Sequence, residues 1–343
     1  MTIGFYANIN ENGDNEVLIT DDHTLEMNKS LYQNQDSNIQ EKTSAVRPIS
    51  GMGFLVGQDL TYLKGVLGEP QRIDESLYGY QWYIYNSDYS SYVQVGVENN
   101  RVVTVFAIGE NLDVSPFKIG QPIEEIFNTQ SINTNIDFEF KGNSYRFELN
   151  DTDLNIRPLI RLGDVFVQLY IDQFTGSLSS VRFLNEETLI KQRPYELVYS
   201  GELLETAEPS EEMWRVIEQG TEMEILDITN VMRIRHNVKS LKWDQETSSV
   251  AYGHSKDMSD NNDFSHTSKQ FGSLSDRLEA AKVAYKSAGE NIAANYTDGP
   301  AVAEGWLNSK GHRESLLNED FTHLGVGVYQ KYYTQNFIQK SED

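Results

Sequence analysis

The sequence predicts an α+β protein. It places a repeated helix-plus-antiparallel-sheet unit ahead of a helix-rich unit that ends in two strands. Three observations carry this reading. Residues 51–200 alternate apolar and polar positions with period two; from residue 222 the apolar positions recur at helical spacing; and a stretch rich in Glu, with Pro209, lies between them. The 343 residues suffice for two domains.

Residues 1–50 are polar and acidic, and clusters such as Val17-Leu18-Ile19 are too small for a core. They read as a tether or as an extended arm packed on the next domain. Residues 51–205 carry a weak internal repeat. One copy opens Gly57-Gln58-Asp59-Leu60 and the other Gly120-Gln121-Pro122-Ile123; each starts a short helix, and Pro122 suits a first turn. Strands follow over 80–86 and 92–108, turning at Glu98-Asn99-Asn100, and over 145–149 and 165–184, turning near Thr175-Gly176. Val93-Gln94 and Val167-Gln168 occupy matching places, and the alternation predicts one buried and one wet face for each of two units lying side by side. Residues 201–221 form the boundary, with Ser210 as a helix cap.

Residues 210–343 form the second domain. Ile225, Ile228 and Met232 mark one helix face; Val250, Ala251, His254 and Met258 mark another. Residues 273–282 read as a third helix, and Asp298 caps a fourth that has Pro300 in its first turn and runs to about 309. Strands close the chain over 323–329 and 333–338. Helices around a small antiparallel sheet follow from this pattern.

The net charge is −24 and no part of the chain is basic. Nucleic-acid binding and attraction to an anionic membrane surface are therefore disfavoured. The absence of cysteine excludes disulfides, thiolate nucleophiles and Cys-ligated zinc. No apolar run is long enough to span a bilayer and no signal peptide is visible, which fits either a cytoplasmic protein or one whose leader or anchor has been removed.

Five of the six histidines, His236, His254, His266, His312 and His323, fall in the C-terminal domain, though no two stand four apart on one helix. Around them the motifs run in order: Asn230-x-x-Arg233, Leu241-Lys242-Trp243-Asp244, His254-Ser255-Lys256-Asp257-Met258, Phe264-Ser265-His266-Thr267, and Ser273-x-x-x-Arg277. Gly289-Glu290-Asn291-Ile292-Ala293, Trp306-Leu307-Asn308-Ser309-x-x-His312-Arg313, Leu316-Leu317-Asn318, His323-Leu324-Gly325-Val326-Gly327-Val328 and Thr334-Gln335-Asn336-Phe337 complete the series. This order resembles the bacterial, cysteine-free type of the CAP (SCP/PR-1-like) superfamily, and residues 51–200 are similar to the CAP-associated domain that precedes such domains in Gram-positive bacteria.

The resemblance implies a three-layer α-β-α sandwich whose cleft presents two histidines and two glutamates. Carried over by motif, these are His266, Glu290 and His323; the place of the second glutamate holds Ser309, and His312, three residues on, could share its side of the cleft. The remaining histidines read otherwise: His254 as a core residue, His236 and His23 as solvent-facing. Trp243 and Trp306 read as core, Arg277 as a structural partner for a buried carboxylate, and the acidic run 257–263 as a solvated helix end.

Two functions follow as expectations. One is an extracellular or cell-surface binding module of unassigned molecular function, its His/Glu cleft taking a ligand, a surface component or a divalent metal. The alternative is a metal-dependent hydrolase, with His266 and His323 holding an ion such as zinc and Glu290 as general base. Ser309 in place of a carboxylate weakens the second.

Overall fold

The computed structural model describes residues 3–6 and 46–340. The rest of the N-terminal arm, with Val17–Ile19 and His23, lies outside the described residues. The chain divides into two compact units that part between Glu208 and Pro209.

The first unit runs β1 (Ile3–Tyr6), α1 (Gly51–Phe54), α2 (Leu60–Leu67), β2 (Arg72–Glu75), β3 (Gln81–Tyr85), β4 (Val93–Glu98), β5 (Arg101–Ala107), α3 (Ile123–Thr129), β6 (Asn135–Phe140), β7 (Asn143–Glu148), α4 (Asp151–Ile156), β8 (Leu159–Leu162), β9 (Val165–Asp172), β10 (Ser177–Leu184), α5 (Glu186–Gln192) and β11 (Glu196–Ser200). Both sheets are antiparallel, in the orders β1-β11-β7-β6 and β2-β3-β4-β5-β10-β9-β8. The turn between β4 and β5 holds Asn99 and Asn100 at φ 50° and 62°. Asn tolerates this left-handed backbone, which a tight hairpin requires.

The two repeat copies are not separate units side by side. Their main hairpins, β4–β5 and β9–β10, join through the β5–β10 pair into one seven-stranded sheet. One cross-strand row runs Gln94, Phe106, Arg182, Gln168, so the matched glutamines flank the seam at mirrored places. Nor is this face wet. Gln94, Gln168 and Arg182 are all buried. The face stays buried because its polar groups find partners: Tyr92 and Tyr170 donate hydroxyl hydrogen bonds of 2.9 and 2.8 Å to the Gln94 and Gln168 side-chain oxygens. The Arg182 guanidinium lies over the rings of Trp82, Phe106 and Tyr170.

The second unit runs α6 (Glu211–Arg235), β12 (Lys242–Trp243), α7 (Gln245–Asn261), α8 (Leu274–Ala280), β13 (Ser287–Ala294), α9 (Gly299–Leu307), α10 (Lys310–Leu316), β14 (His323–Tyr329) and β15 (Tyr332–Gln339). Its sheet has the order β12-β14-β15-β13, with β12 parallel to β14 and the other pairs antiparallel. Expected caps hold: the Ser210 hydroxyl accepts from the Met213 N–H, and the Asp298 carboxylate from the Ala301 N–H.

Alternation along the strands fixes the layers. A Cβ at Gly325 or Gly327 would lie 2.2 or 1.8 Å from the backbone of α7, so that helix packs directly on β14 and only glycine fits beneath it. The opposite face takes α6, whose Thr229 hydroxyl accepts a 2.8 Å bond from Gln335, and α9, whose Trp306 indole donates to the Ile292 carbonyl. This is a three-layer α-β-α sandwich. The Asn230-x-x-Arg233 motif ties its loops. Asn230 exchanges two hydrogen bonds with the Leu241 backbone, while Arg233 donates to the carbonyls of Lys239, Leu316, Asn318 and Phe321.

Two α6 carboxylates grip the β14–β15 turn: Glu222 accepts from the Val328 N–H at 3.1 Å, and Glu218 accepts from the Gln330 N–H at 2.9 Å while pairing with Arg215. Burial pushes the Glu222 carboxyl from 4.5 up to about 7; the Val328 N–H and Arg215 oppose the rise, and the charge of Glu218 adds to it. The folded state thus holds this proton more tightly than the unfolded chain. Its contribution is full below about 4.5 and is lost as pH rises through about 7. Glu222→Gln keeps the acceptor without the charge. It should stabilise the protein by about 2–3 kcal/mol more at pH 8 than at pH 4, which urea unfolding at the two pH values would measure.

Candidate functional site

Glu290 sits on β13 directly opposite Asn336 of β15, which lies opposite Gly325 of β14. Gly325 faces α7, so this row points into the α7 layer. Three side chains meet the Glu290 carboxylate there. His266, on the segment linking α7 and α8, brings Nδ1 to 3.0 Å from Oε1. Arg277, on α8, pairs with Oε2 through Nη2. His254, on α7, brings Nε2 to 3.8 Å from Oε1. Arg277 also donates to the carbonyls of His266 and Gly272, so one guanidinium fixes both the carboxylate and the segment that carries His266.

Exposure separates the roles. The side chains of Glu290, Arg277 and His254 are 4%, 5% and 0% exposed, whereas that of His266 is 56% exposed. A carboxylate only accepts, so Nδ1 of His266 carries the proton in this bond, and in the neutral ring Nε2 is left as an outward acceptor. Burial pushes the pKa of His254 down; Arg277 acts in the same direction, while Glu290, Asp257 and the Ser265 backbone oppose it. His254 is buried, as its place on an apolar stripe predicts, and it is also part of the cluster around Glu290.

The other expected residues lie elsewhere. His323 is on the α7 side of the sheet, but two residues along β14 from the Glu290 row, opposite Ile338. Its Nδ1 shares a 2.9 Å hydrogen bond with Thr322, and burial together with Lys340 and Lys242 lowers its pKa, with Asp244 opposing. The structure therefore does not join His266 and His323 around one point, because strand register separates them. Ser309 caps α10, and His312 lies in that helix's first turn. α10 belongs to the opposite layer: Ser315 lies near Gly289, and the His312 carbonyl accepts from Asn291. His236 is not solvent-facing. It caps α6 half-buried, with Nδ1 on the Met232 carbonyl and Nε2 against Arg313.

The donor set does not fit a resident metal. Among the described residues no group of three or more His, Asp or Glu could hold an ion. At Glu290 the carboxylate is buried and committed to Arg277 and His266. Arg277 is the buried carboxylate's partner that sequence reasoning expected. Asn336, the cross-strand neighbour of Glu290, was not expected at the site; recognising residues 287–294 as a strand would have revealed it.

The fold and this cluster define a CAP-type domain behind an associated sheet domain. The profile of the "CAP-associated N-terminal" family matches residues 56–195, and that of the CAP family, described as "Cysteine-rich secretory protein family", matches residues 226–340. The chain is 50% identical over 313 residues to the "Uncharacterized membrane protein YlbC" of Bacillus subtilis (strain 168), covering 91% of this chain and 90% of that protein. The chain belongs to the CAP family, in a form without cysteine. A Bacillus anthracis structure described as an extracellular protein containing a SCP domain matches with TM-score 0.81 and 46% identity, over 88% of this chain and 98% of that one. A cysteine-rich secretory protein of Staphylococcus aureus matches with TM-score 0.77 and 32% identity, over 87% and 98%. Among the described residues no helix is long and apolar enough to cross a membrane.

Proposed function

We propose that the C-terminal unit is an extracytoplasmic binding module whose ligand contacts the exposed edge of His266, with Glu290 and Arg277 holding that ring in place. The observation that carries this reading is the division of exposure: one accessible imidazole backed by a buried, hydrogen-bonded carboxylate and a buried guanidinium. The extracellular description of the Bacillus anthracis protein supports the location, as does the naming of YlbC as a membrane protein. The ligand is an unassigned surface component or small molecule able to donate to Nε2.

A hydrolase remains as a second reading because a carboxylate-oriented imidazole with a free Nε2 is the arrangement of a general base. His266 would fill that role in place of Glu290, and His323 would take no part.

Zinc is the simplest probe of an outward Nε2. Calorimetric titration at neutral pH should show weak binding, since one imidazole makes a poor site. His266→Ala should lose the site-specific component, while His323→Ala and His254→Ala keep it. Identical isotherms for all four proteins would assign the zinc to scattered surface carboxylates and remove His266 as the contact.

A further inference from the structure

Five buried polar atoms on three residues that neighbour Glu290 have no hydrogen-bond partner in the protein: both ring nitrogens of His254, both amide atoms of Asn336, and Nε of Arg277. His254 and Asn336 are fully buried, and Arg277 nearly so. The Ser265 backbone acts on the His254 ring as a weak hydrogen-bond acceptor, raising its pKa, without forming a full bond to either ring nitrogen. Leaving a buried polar group unpaired costs about 1–3 kcal/mol each, so a cluster of five calls for an occupant that pairs with them.

The chemistry of these atoms selects the occupant. Arg277 Nε and the Asn336 amide nitrogen donate, the Asn336 oxygen accepts, and neutral His254 offers one donor and one acceptor. A cation has no use for the donors, and a lone anion has none for the acceptors. Water satisfies both kinds. The 3.8 Å between His254 Nε2 and Glu290 Oε1 is too long for a direct hydrogen bond, but one water about 2.8 Å from each atom spans it.

We propose that a buried water links His254 Nε2 to Glu290 Oε1, with Asn336 as a further partner, and that His254 is thereby a positioning residue for the His266–Glu290 pair. Oε1 then takes hydrogen bonds from both sides: His266 Nδ1–H on the solvent side and the water on the inner side. That pins the carboxylate so that it cannot rotate away from His266. The inference rests on the hydrogen-bonded pair and not on what the exposed edge of His266 binds, so its failure would leave the binding reading intact.

Two measurements on the full chain test it. An atomic-resolution crystal structure should show a water within about 3.2 Å of both His254 Nε2 and Glu290 Oε1. A direct His254–Glu290 bond, or no water there, overturns the proposal. Exchange of the His266 Nδ1 proton, followed by NMR, should accelerate about tenfold in His254→Phe, which keeps the ring volume and loses both nitrogens, and should return toward the wild-type rate in His254→Gln. Equal rates in all three proteins would show that His254 only fills space. If His254→Phe does not fold, the crystal structure and the comparison of wild type with His254→Gln still decide: in that variant the same water must bridge the introduced side-chain amide to Oε1.

Discussion

Replacing Arg277 with methionine should destabilise the C-terminal unit by about 3–5 kcal/mol, because it leaves the Glu290 carboxylate buried without its ion pair. Both partners are almost fully enclosed, so solvent screens the pair little. The same substitution frees the carbonyls of His266 and Gly272, loosening the segment that carries the exposed imidazole. The double variant Arg277→Met/Glu290→Gln removes the stranded charge and should recover a large part of the loss. Urea unfolding of the four proteins of this cycle yields the coupling. Additive effects would mean that the guanidinium holds only the loop, and that its bond to Glu290 contributes nothing.

Trp306→Ala should cost a similar about 3–5 kcal/mol, here through a cavity. The ring is 1% exposed, and its indole N–H donates to the Ile292 carbonyl of β13 at 3.2 Å. This tryptophan therefore holds α9 against the strand that carries Glu290. A loss below about 1 kcal/mol would place the ring at the surface, against the packing described here.

Much of this was legible in the sequence, and the reasons differ by element. The hairpins of the first unit could be read from period-two alternation and from Asn99-Asn100, because turn chemistry is local. The burial of both faces of their sheet could not, because alternation along a strand does not show that Tyr92 and Tyr170, two residues away, satisfy Gln94 and Gln168, or that the distant Tyr195 accepts the second Gln168 bond. The order of motifs identified the C-terminal fold, and caps at Ser210 and Asp298 located helix starts. β13 escaped pattern reading. Ser287-Ala288-Gly289-Glu290-Asn291 has no apolar alternation, and the segment is a strand because β15 pairs with it. That omission hid the register, and register decides which residues meet Glu290. His323 stands at a strand entry, where the motif pointed, yet two residues from the Glu290 row. His254 looked like core because helical spacing shows burial and not what the buried ring faces.

The central claim is that Glu290 serves His266 from within, leaving Nε2 of the exposed ring as the acceptor offered to a ligand. The 15N chemical shifts of the neutral His266 ring test it directly, since they report which nitrogen carries the proton. The account predicts the Nδ1–H form, with Nε2 unprotonated, and a switch toward the Nε2–H form in Glu290→Ala, which removes the acceptor holding Nδ1–H. A wild-type ring already protonated at Nε2, with no change on removing Glu290, would contradict it.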